Sequence, residues 1–363
     1  MAALERVWVC DTITGQRLNV VPVKDFTWAR CFNEGAGEQQ ASIPVNDPTV
    51  KMLDLRGLIV ERSSTLVYEV GSNVVAAGVV MDTDYDRDAG TLQIVHEDIW
   101  KILDDRLVIK HGAPYVVTEK LTYGPLSLGT IAKRVVQEAV APGGWYGLPI
   151  VFPADVGGSE TRTYYGYQMQ TVPDALTEIM ESDGGPDIDF TPRWNAGTGN
   201  LEWVMRAAPN LATGNAWEYN LDAAKPAAFN VNAKTDTSRF ANNAYAVGEG
   251  TEKNVKYRSN PTPDHSRPAA EGVTPFKGVK DLGVLGGLAV ERSRALSVPT
   301  RHYSMSILKN ASPGATDLSL GDTIRVMSAA DPWMPQGLSS HRLIKYSGSL
   351  GMDVSLEFQP TGA

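Results

Sequence analysis

Residues 78–94 read GVVMDTDYDRDAGTLQI, with aspartate at 82, 84, 86 and 88. This spacing has three readings: a metal loop, an acidic catalytic centre, or one face of a strand running into a turn. A calcium loop of the EF-hand type starting at Asp82 needs glycine at its sixth position and glutamate at its twelfth. Arg87 and Gln93 stand there instead. A strand explains the pattern without a metal, with Val79, Met81, Thr83 and Tyr85 on one face and Asp82 and Asp84 on the other. DRDAG at 86–90 is then a polar turn. The stretch is therefore a hairpin, and the chain around it reads as β structure.

Working outward, residues 7–10 and 18–21 flank a turn at 11–16, where Gly15 is free to take a positive φ. Further strands are expected at 26–32, 41–45, 58–62, 66–70, 74–85 and 91–96. Short strands with turns between them suit a barrel or sandwich. HEDIWKILDDR, residues 96–106, follows as a short helix capped by Asp98.

The pattern changes after residue 106. SLGTIAKRVVQEAV at 127–140 places Leu128, Ile131, Ala132, Val135, Val136 and Ala139 on one helical face, with Ser127 as N-cap. TVPDALTEIMESDGG at 171–185 is a second helix, with Thr171 and Asp174 in capping-box positions, Pro173 in the first turn and Gly184 at the end. Residues 186–206 form a hairpin. After 210, strands are expected at 227–234, 243–248, 302–308, 323–327, 341–346 and 354–358, and a helix at 282–295. The polar, Pro- and Gly-rich stretch 250–283 reads as a long mobile loop. The fold class is mainly β with an α+β insert: two related β-barrel domains, 1–106 and 211–363, flank a small α+β domain, 107–210.

The relation between the outer domains comes from a repeat. RGLIV and GVVMDTDYDRDAGTLQI in the first match GDTIRV and RLIKYSGSLGMDVSLEF in the second. Ile59 to Val79 and Ile324 to Ile344 are both twenty positions.

The chain has 363 residues, 42% of them hydrophobic, which suits folded domains and excludes general disorder. Its formal net charge of −9 argues against gripping a phosphate backbone, although it favours letting DNA slide past. Cys10 and Cys31, without metal spacing, read as two buried thiols. No basic segment precedes an apolar one at the start, and no apolar run is long enough for a bilayer, so cytoplasmic synthesis without a signal peptide or membrane span is expected.

Catalytic signals are weak. His96, His111, His265, His302 and His341 show no HExxH or HxE spacing, and neither GxSxG nor a phosphate loop occurs. The carboxylate pairs Glu97/Asp98 and Asp104/Asp105 fit capping and solubility. No catalytic residue, metal or cofactor is expected. Trp145 and Tyr146 in APGGWYGLP, and Trp333 and Met334 in AADPWMPQG, are candidate partner contacts, because aromatic side chains anchor interfaces. They also allow a carbohydrate-binding module, and the acid-rich surface allows a cell-wall hydrolase working through two carboxylates.

FNEGAGEQQASIPVNDP (32–48), AAGVVMDTDYDRDAGTLQIVHEDIWKILDDR (76–106), PLSLGTIAKRVV (125–136) and LSLGDTIRV (318–326) occur in that order. The ordered set resembles the minor tail proteins of long-tailed phages of actinobacteria, which are similar to the baseplate hub of contractile tails. The resemblance spans nearly the whole chain. It implies a virion structural protein rather than an enzyme: a homotrimer at the tail tip whose three chains supply six barrels. Such a ring matches the six-fold tail tube above and a three-fold tip below. The partners it implies are the chain itself, a distal tail or tube-ring protein, a tape-measure protein, and tip spike or fibre proteins, with DNA only in transit.

Overall fold

A computed structural model describes residues 4–182, 184–250, 252–261, 267–276, 279–308, 311–329, 331–351 and 353–360. The fold is mainly β, 44% strand and 18% helix. The chain divides into two compact units: residues 1–230 with 305–331 and 335–358, and residues 231–304 with 332–334 and 359–363.

In the first unit, β1 (Glu5–Asp11) and β2 (Arg17–Val21) form the opening hairpin, followed by β3 (Asp25–Cys31) and β4 (Gln39–Pro44). Gly15 takes φ 70°, and a Cβ there would stand 2.0 Å from the carbonyl oxygen of Leu201, so conformation and close approach both demand glycine. Two one-turn helices, α1 (Pro48–Lys51) and α2 (Leu55–Leu58), lead to β5 (Ser64–Val70), β6 (Asn73–Asp86) and β7 (Thr91–Glu97). The strand expected at 58–62 does not form. Asp54 accepts from the amide of Gly57 and caps α2 instead, and Arg62 turns the chain at φ 60°.

The hairpin reading of 78–94 holds. β6 pairs with β7 from Val79↔Glu97 to Asp86↔Thr91, and Asp86 accepts from the amides of Asp88 and Ala89 in the turn. The expected division of faces fails at the tip, where Tyr85 is exposed along with Asp82, Asp84 and Asp86. A bulge between Val80 and Asp82 interrupts the alternation there.

α3 (Ile99–Asp104) starts at Asp98 as expected. The α+β part comprises β8 (Lys120–Leu126), α4 (Leu128–Val140), β9 (Ile150–Val151), β10 (Glu160–Tyr165), α5 (Val172–Met180), β11 (Asp187–Trp194) and β12 (Leu201–Ala208). Ser127 caps α4 through the amide of Thr130, and Thr171 caps α5 through that of Asp174. Ile131, Val135, Leu176, Ile179, Ile188 and Trp203 close one apolar core between these helices and the sheet β11-β12-β9. Glu69 on β5, almost fully buried, accepts from Trp8 Nε1 at 2.8 Å and Trp194 Nε1 at 3.0 Å, tying this part to the first strands.

β13 (Ala216–Asn220) and β14 (Ala228–Asp236) follow. The second unit then carries β15 (Asn243–Val247), β16 (Tyr257–Pro261), β17 (Glu271–Pro275) and α6 (Leu282–Leu296), with strand order β16-β15-β17. The 250–283 stretch therefore contains two strands where a loop was expected. Five-residue polar strands give too short an alternation to read, and here β15 supplies the pairing partner for both. Residues 251, 262–266 (with His265) and 277–278 lie outside the described residues. Asp281 caps α6, and Leu285, Ala289 and Ser293 form its buried stripe.

β18 (Thr300–Ile307), β19 (Thr323–Ser328), β20 (Gly337–Ser349) and β21 (Val354–Pro360) complete the chain. Residues 228–230 of β14 and 305–307 of β18 belong to the first unit, and each strand continues into the second. Strand order in the large sheet runs β14-β18-β21-β20-β3-β4-β7-β6-β5-β1-β2, with β19 also on β20 and β13 on β19. No closed barrel forms among the described residues: the path is open, with β14 and β2 at its ends.

The sheet contains the same topology twice. The first half has the order β1-β5-β6-β7-β4-β3, and the second β13-β19-β20-β21-β18-β14. Replacing β1, β3, β4, β5, β6 and β7 by β13, β14, β18, β19, β20 and β21 keeps both sheet order and chain order. The long hairpins match in length as well. β5 pairs as far as Val79 and β19 as far as Arg342; seven residues later β6 ends at Asp86 and β20 at Ser349. Five residues further, β7 begins at Thr91 and β21 at Val354. The repeat is thus real but shifted from the twenty-residue match: β19 corresponds to β5, whereas Ile59 lies at the end of α2. One difference remains, since β13 is parallel to β19 and β1 antiparallel to β5.

Candidate assembly surface

Two of the four proposed contact residues project and two do not. Trp145 is 80% exposed, in a tight turn opened by Gly143 and Gly144 at positive φ. Tyr146 is held inward: its ring packs at 4.9 Å on His111, and Arg106 lies over it while donating to its carbonyl at 3.1 Å. Trp333 is 81% exposed in the segment between β19 and β20, while Met334 beside it is buried. Trp145 and Trp333 belong to different units.

A second aromatic group escaped the sequence reading. Two short 3-10 turns, Val116–Thr118 and Gly166–Gln168, meet where a Cβ on Gly166 would stand 1.9 Å from the Val116 carbonyl oxygen. Around them Tyr115, Val117, Tyr165, Tyr167 and Met169 are exposed, with the Tyr165 and Tyr167 rings stacked at 5.3 Å. The signal was the run TYYGYQM at 163–169, in which the glycine marks a close approach.

Among the described residues, no group of three or more His, Cys, Asp or Glu side chains could hold a metal ion. Asp98 is the best-placed acid. It accepts from the amides of Ala36 at 2.7 Å and Trp100 at 3.0 Å. Burial pushes its carboxyl up to about 7, against the pull of those two amides. It borders a cavity of about 20 Å³ together with Arg30, Trp100, Asp189 and Trp203, room for a water and not for an organic substrate. Its work is structural: it joins the 35–37 loop to α3. His96 stacks on Phe26 at 4.8 Å, and burial pushes it down to about 4. Burial raises both thiols, Cys10 and Cys31, to about 12, which leaves them inert.

These shifts set opposite pH dependences. Asp98 binds its proton more tightly folded than unfolded, so its contribution is present below about pH 3.9 and lost as pH rises through 7. His96 binds its proton more weakly folded, so its contribution is present above about pH 6.5 and lost as pH falls through 4. Relative to wild type, Asp98→Asn should therefore gain stability as pH rises from 4 to 7, and His96→Leu as pH falls over the same window. The slope approaches at most ~1.4 kcal/mol per pH unit. Urea midpoints across this range check it; variant-to-wild-type differences independent of pH would refute it.

No protein-family model and no curated protein matches the sequence. Solved structures do. The 43 kDa tail protein of prophage MuSo2 from Shewanella oneidensis superposes at TM-score 0.61 with 12% identity, covering 98% of both chains. The fold is that of prophage tail proteins. A tail protein from Neisseria meningitidis MC58 gives TM-score 0.59 at 15% identity over 99% of this chain and 97% of that one. The prophage tail protein gp18 of Listeria monocytogenes EGD-e gives 0.52 at 9% identity, over 98% and 94%. Among the described residues, no helix is long and apolar enough to cross a membrane.

Proposed function

We propose that this chain is a virion structural protein: a trimeric hub at the tail tip that joins the six-fold tube to a three-fold tip or fibre apparatus and lines part of the DNA exit path. The observation that carries this reading is the duplicated strand order. A chain with two like β modules supplies two similar units per copy, so a three-fold ring of chains presents six of them. The tail-protein fold over the whole length supports it, and the net charge of −9 fits a bore that DNA must pass without sticking. The modules are residues 1–106 and 211–363, separated by the α+β part at 107–210. The partners are a second and third copy, a tube-ring or distal tail protein, the tape-measure protein, and spike or fibre proteins. The role is assembly and requires no catalysis. The chain is made in the host cytoplasm and ends at the virion tail tip. The family proposed for it is that of the minor tail or baseplate-hub proteins of long-tailed actinobacterial phages.

Native mass of the purified full-length chain, together with electron microscopy of the intact particle, tests this. A trimer at the tail tip is expected. A monomer in solution with no trimer in the particle would defeat the reading. The exposed Trp145 and Trp333 should be covered on assembly. Residue-resolved hydroxyl-radical oxidation should then fall sharply at both in the particle relative to the isolated chain, and unchanged oxidation would remove them from the interface.

A further inference from the structure

We propose that copies of this chain join head to tail by adding β14 of one copy, antiparallel, to the open edge of β6 at residues 82–86 of the next. The inference rests on the hub reading above and names the edges through which the ring closes. Inside one chain, the two modules are already joined by such a step. The near half of β20 pairs with β19, and its far half takes β3 on the vacated edge, from Lys345↔Cys31 to Ser349↔Thr27. By the hairpin match, residues 345–349 of β20 correspond to 82–86 of β6.

On β6 that position is unfilled. β7 takes one edge through Asp86, and β5 on the other stops at Val79. Among the described residues, no strand continues that second edge. The counterpart of β3 is β14, which ends the strand order with β18 on one side and, among the described residues, no strand on the other. Each copy therefore holds one completed junction and the two separate halves of an equivalent one. Matching the halves on different copies gives a heterologous contact, which forms a ring when the rotation per copy divides a full turn and an open filament when it does not; the hub reading requires closure at three copies.

Charge favours this partner over self-pairing. The open edge of β6 carries Asp82, Asp84 and Asp86, so two such edges would set like charges against each other. β14 carries Lys234 and, as its last residue, Asp236, so the strand has no net charge, and Asn230, Asn232 and Lys234 are exposed. Backbone pairing of an edge with an added strand supplies affinity, and side chains of opposite sign or none permit the approach.

Cysteine scanning tests the proposal on the full-length chain. Thr83→Cys or Asp84→Cys is combined with Asn230→Cys, Asn232→Cys or Lys234→Cys, then mildly oxidised. The native thiols stay silent because both are buried. Native mass is recorded on the same samples under reducing conditions. At least one pairing should give covalent dimer and trimer, an order of magnitude more than either single variant, with the ladder ending at three. A trimer by mass with no such ladder in any pairing would overturn the edge assignment and leave the hub standing. Covalent dimers from Thr83→Cys alone would overturn it in favour of β6 self-pairing. A monomer by mass at every concentration, without cross-links, would remove both the assignment and the hub.

Discussion

Replacing Asp189 with alanine is expected to cost about 3–5 kcal/mol of folding stability, the range for removing one partner of a buried charge cluster. Asp189 is 2% exposed. Arg206 approaches it through Nε at 3.0 Å and Nη2 at 2.7 Å, Arg30 through Nη2 at 3.3 Å, and the Thr191 hydroxyl donates to it as well. Arg30 also donates to the Tyr346 hydroxyl at 2.8 Å, and Arg206 to the Leu320 carbonyl at 3.1 Å. The cluster thus binds β3, β11, β12 and β20, which come from the first β module, the insert and the second module. Without the carboxylate, the nearly buried Arg30 and the partly exposed Arg206 lose the counter-charge they share. Urea unfolding measures the effect. A loss under ~1 kcal/mol would mean that water already screens the cluster, as it does exposed pairs. Exchanging Asp189 and both arginines together for apolar residues of similar volume should cost far less than Asp189→Ala, because no charge is then stranded.

Trp203→Ala should cost a similar ~3–5 kcal/mol through a different cause, the loss of apolar contacts and the cavity left behind. Trp203 is 2% exposed on β12, within the core formed by α4, α5 and the β11-β12-β9 sheet. Its amide is tied to the Pro149 carbonyl at 2.7 Å, so the strand is pinned and little collapse can fill the space. Against a typical domain stability of about 5–15 kcal/mol, such a loss leaves a large unfolded fraction. Trp333→Ala gives the contrast. At 81% exposure it should change stability by within ~0.5 kcal/mol while weakening assembly. Thermal unfolding of the two variants beside their native masses separates the cases: Trp203→Ala lowers the melting temperature, and Trp333→Ala lowers only the oligomer fraction. Equal melting losses in both would refute the division between core and contact tryptophans.

Features set by neighbours in sequence were legible from the residues. Ser127, Thr171 and Asp98 cap helices through amides two or three positions on, and the apolar stripe of α4 follows from its period. The 78–94 hairpin was readable because Asp86 closes its own turn. The segment 58–62 misled because Leu, Ile and Val imitate a strand, while the decision lay with Asp54 and its bond to Gly57. β16 and β17 were hidden because their strand character comes from β15 and not from their own alternation. Trp145 and Trp333 were found as loop aromatics, yet nothing local distinguished them from Tyr146 and Met334, which turn inward.

The sequence by itself determined the caps, the turns and the helical faces, since each depends on contacts within a few residues; it carried the repeat only in a register that the structure shifts. Only the tertiary structure decided that β3, paired with β4 through Asp25 and Phe26, also pairs with β20, that Arg30 and Arg206 converge on Asp189, and that, among the described residues, no strand continues the edge of β6 at 82–86. Those outcomes depend on backbone groups and charges brought together from positions as far apart as Arg30 and Tyr346. A hydrogen bond or a desolvated ion pair leaves no periodic mark in the chain that makes it, because its energy arises only once folding has removed the intervening water.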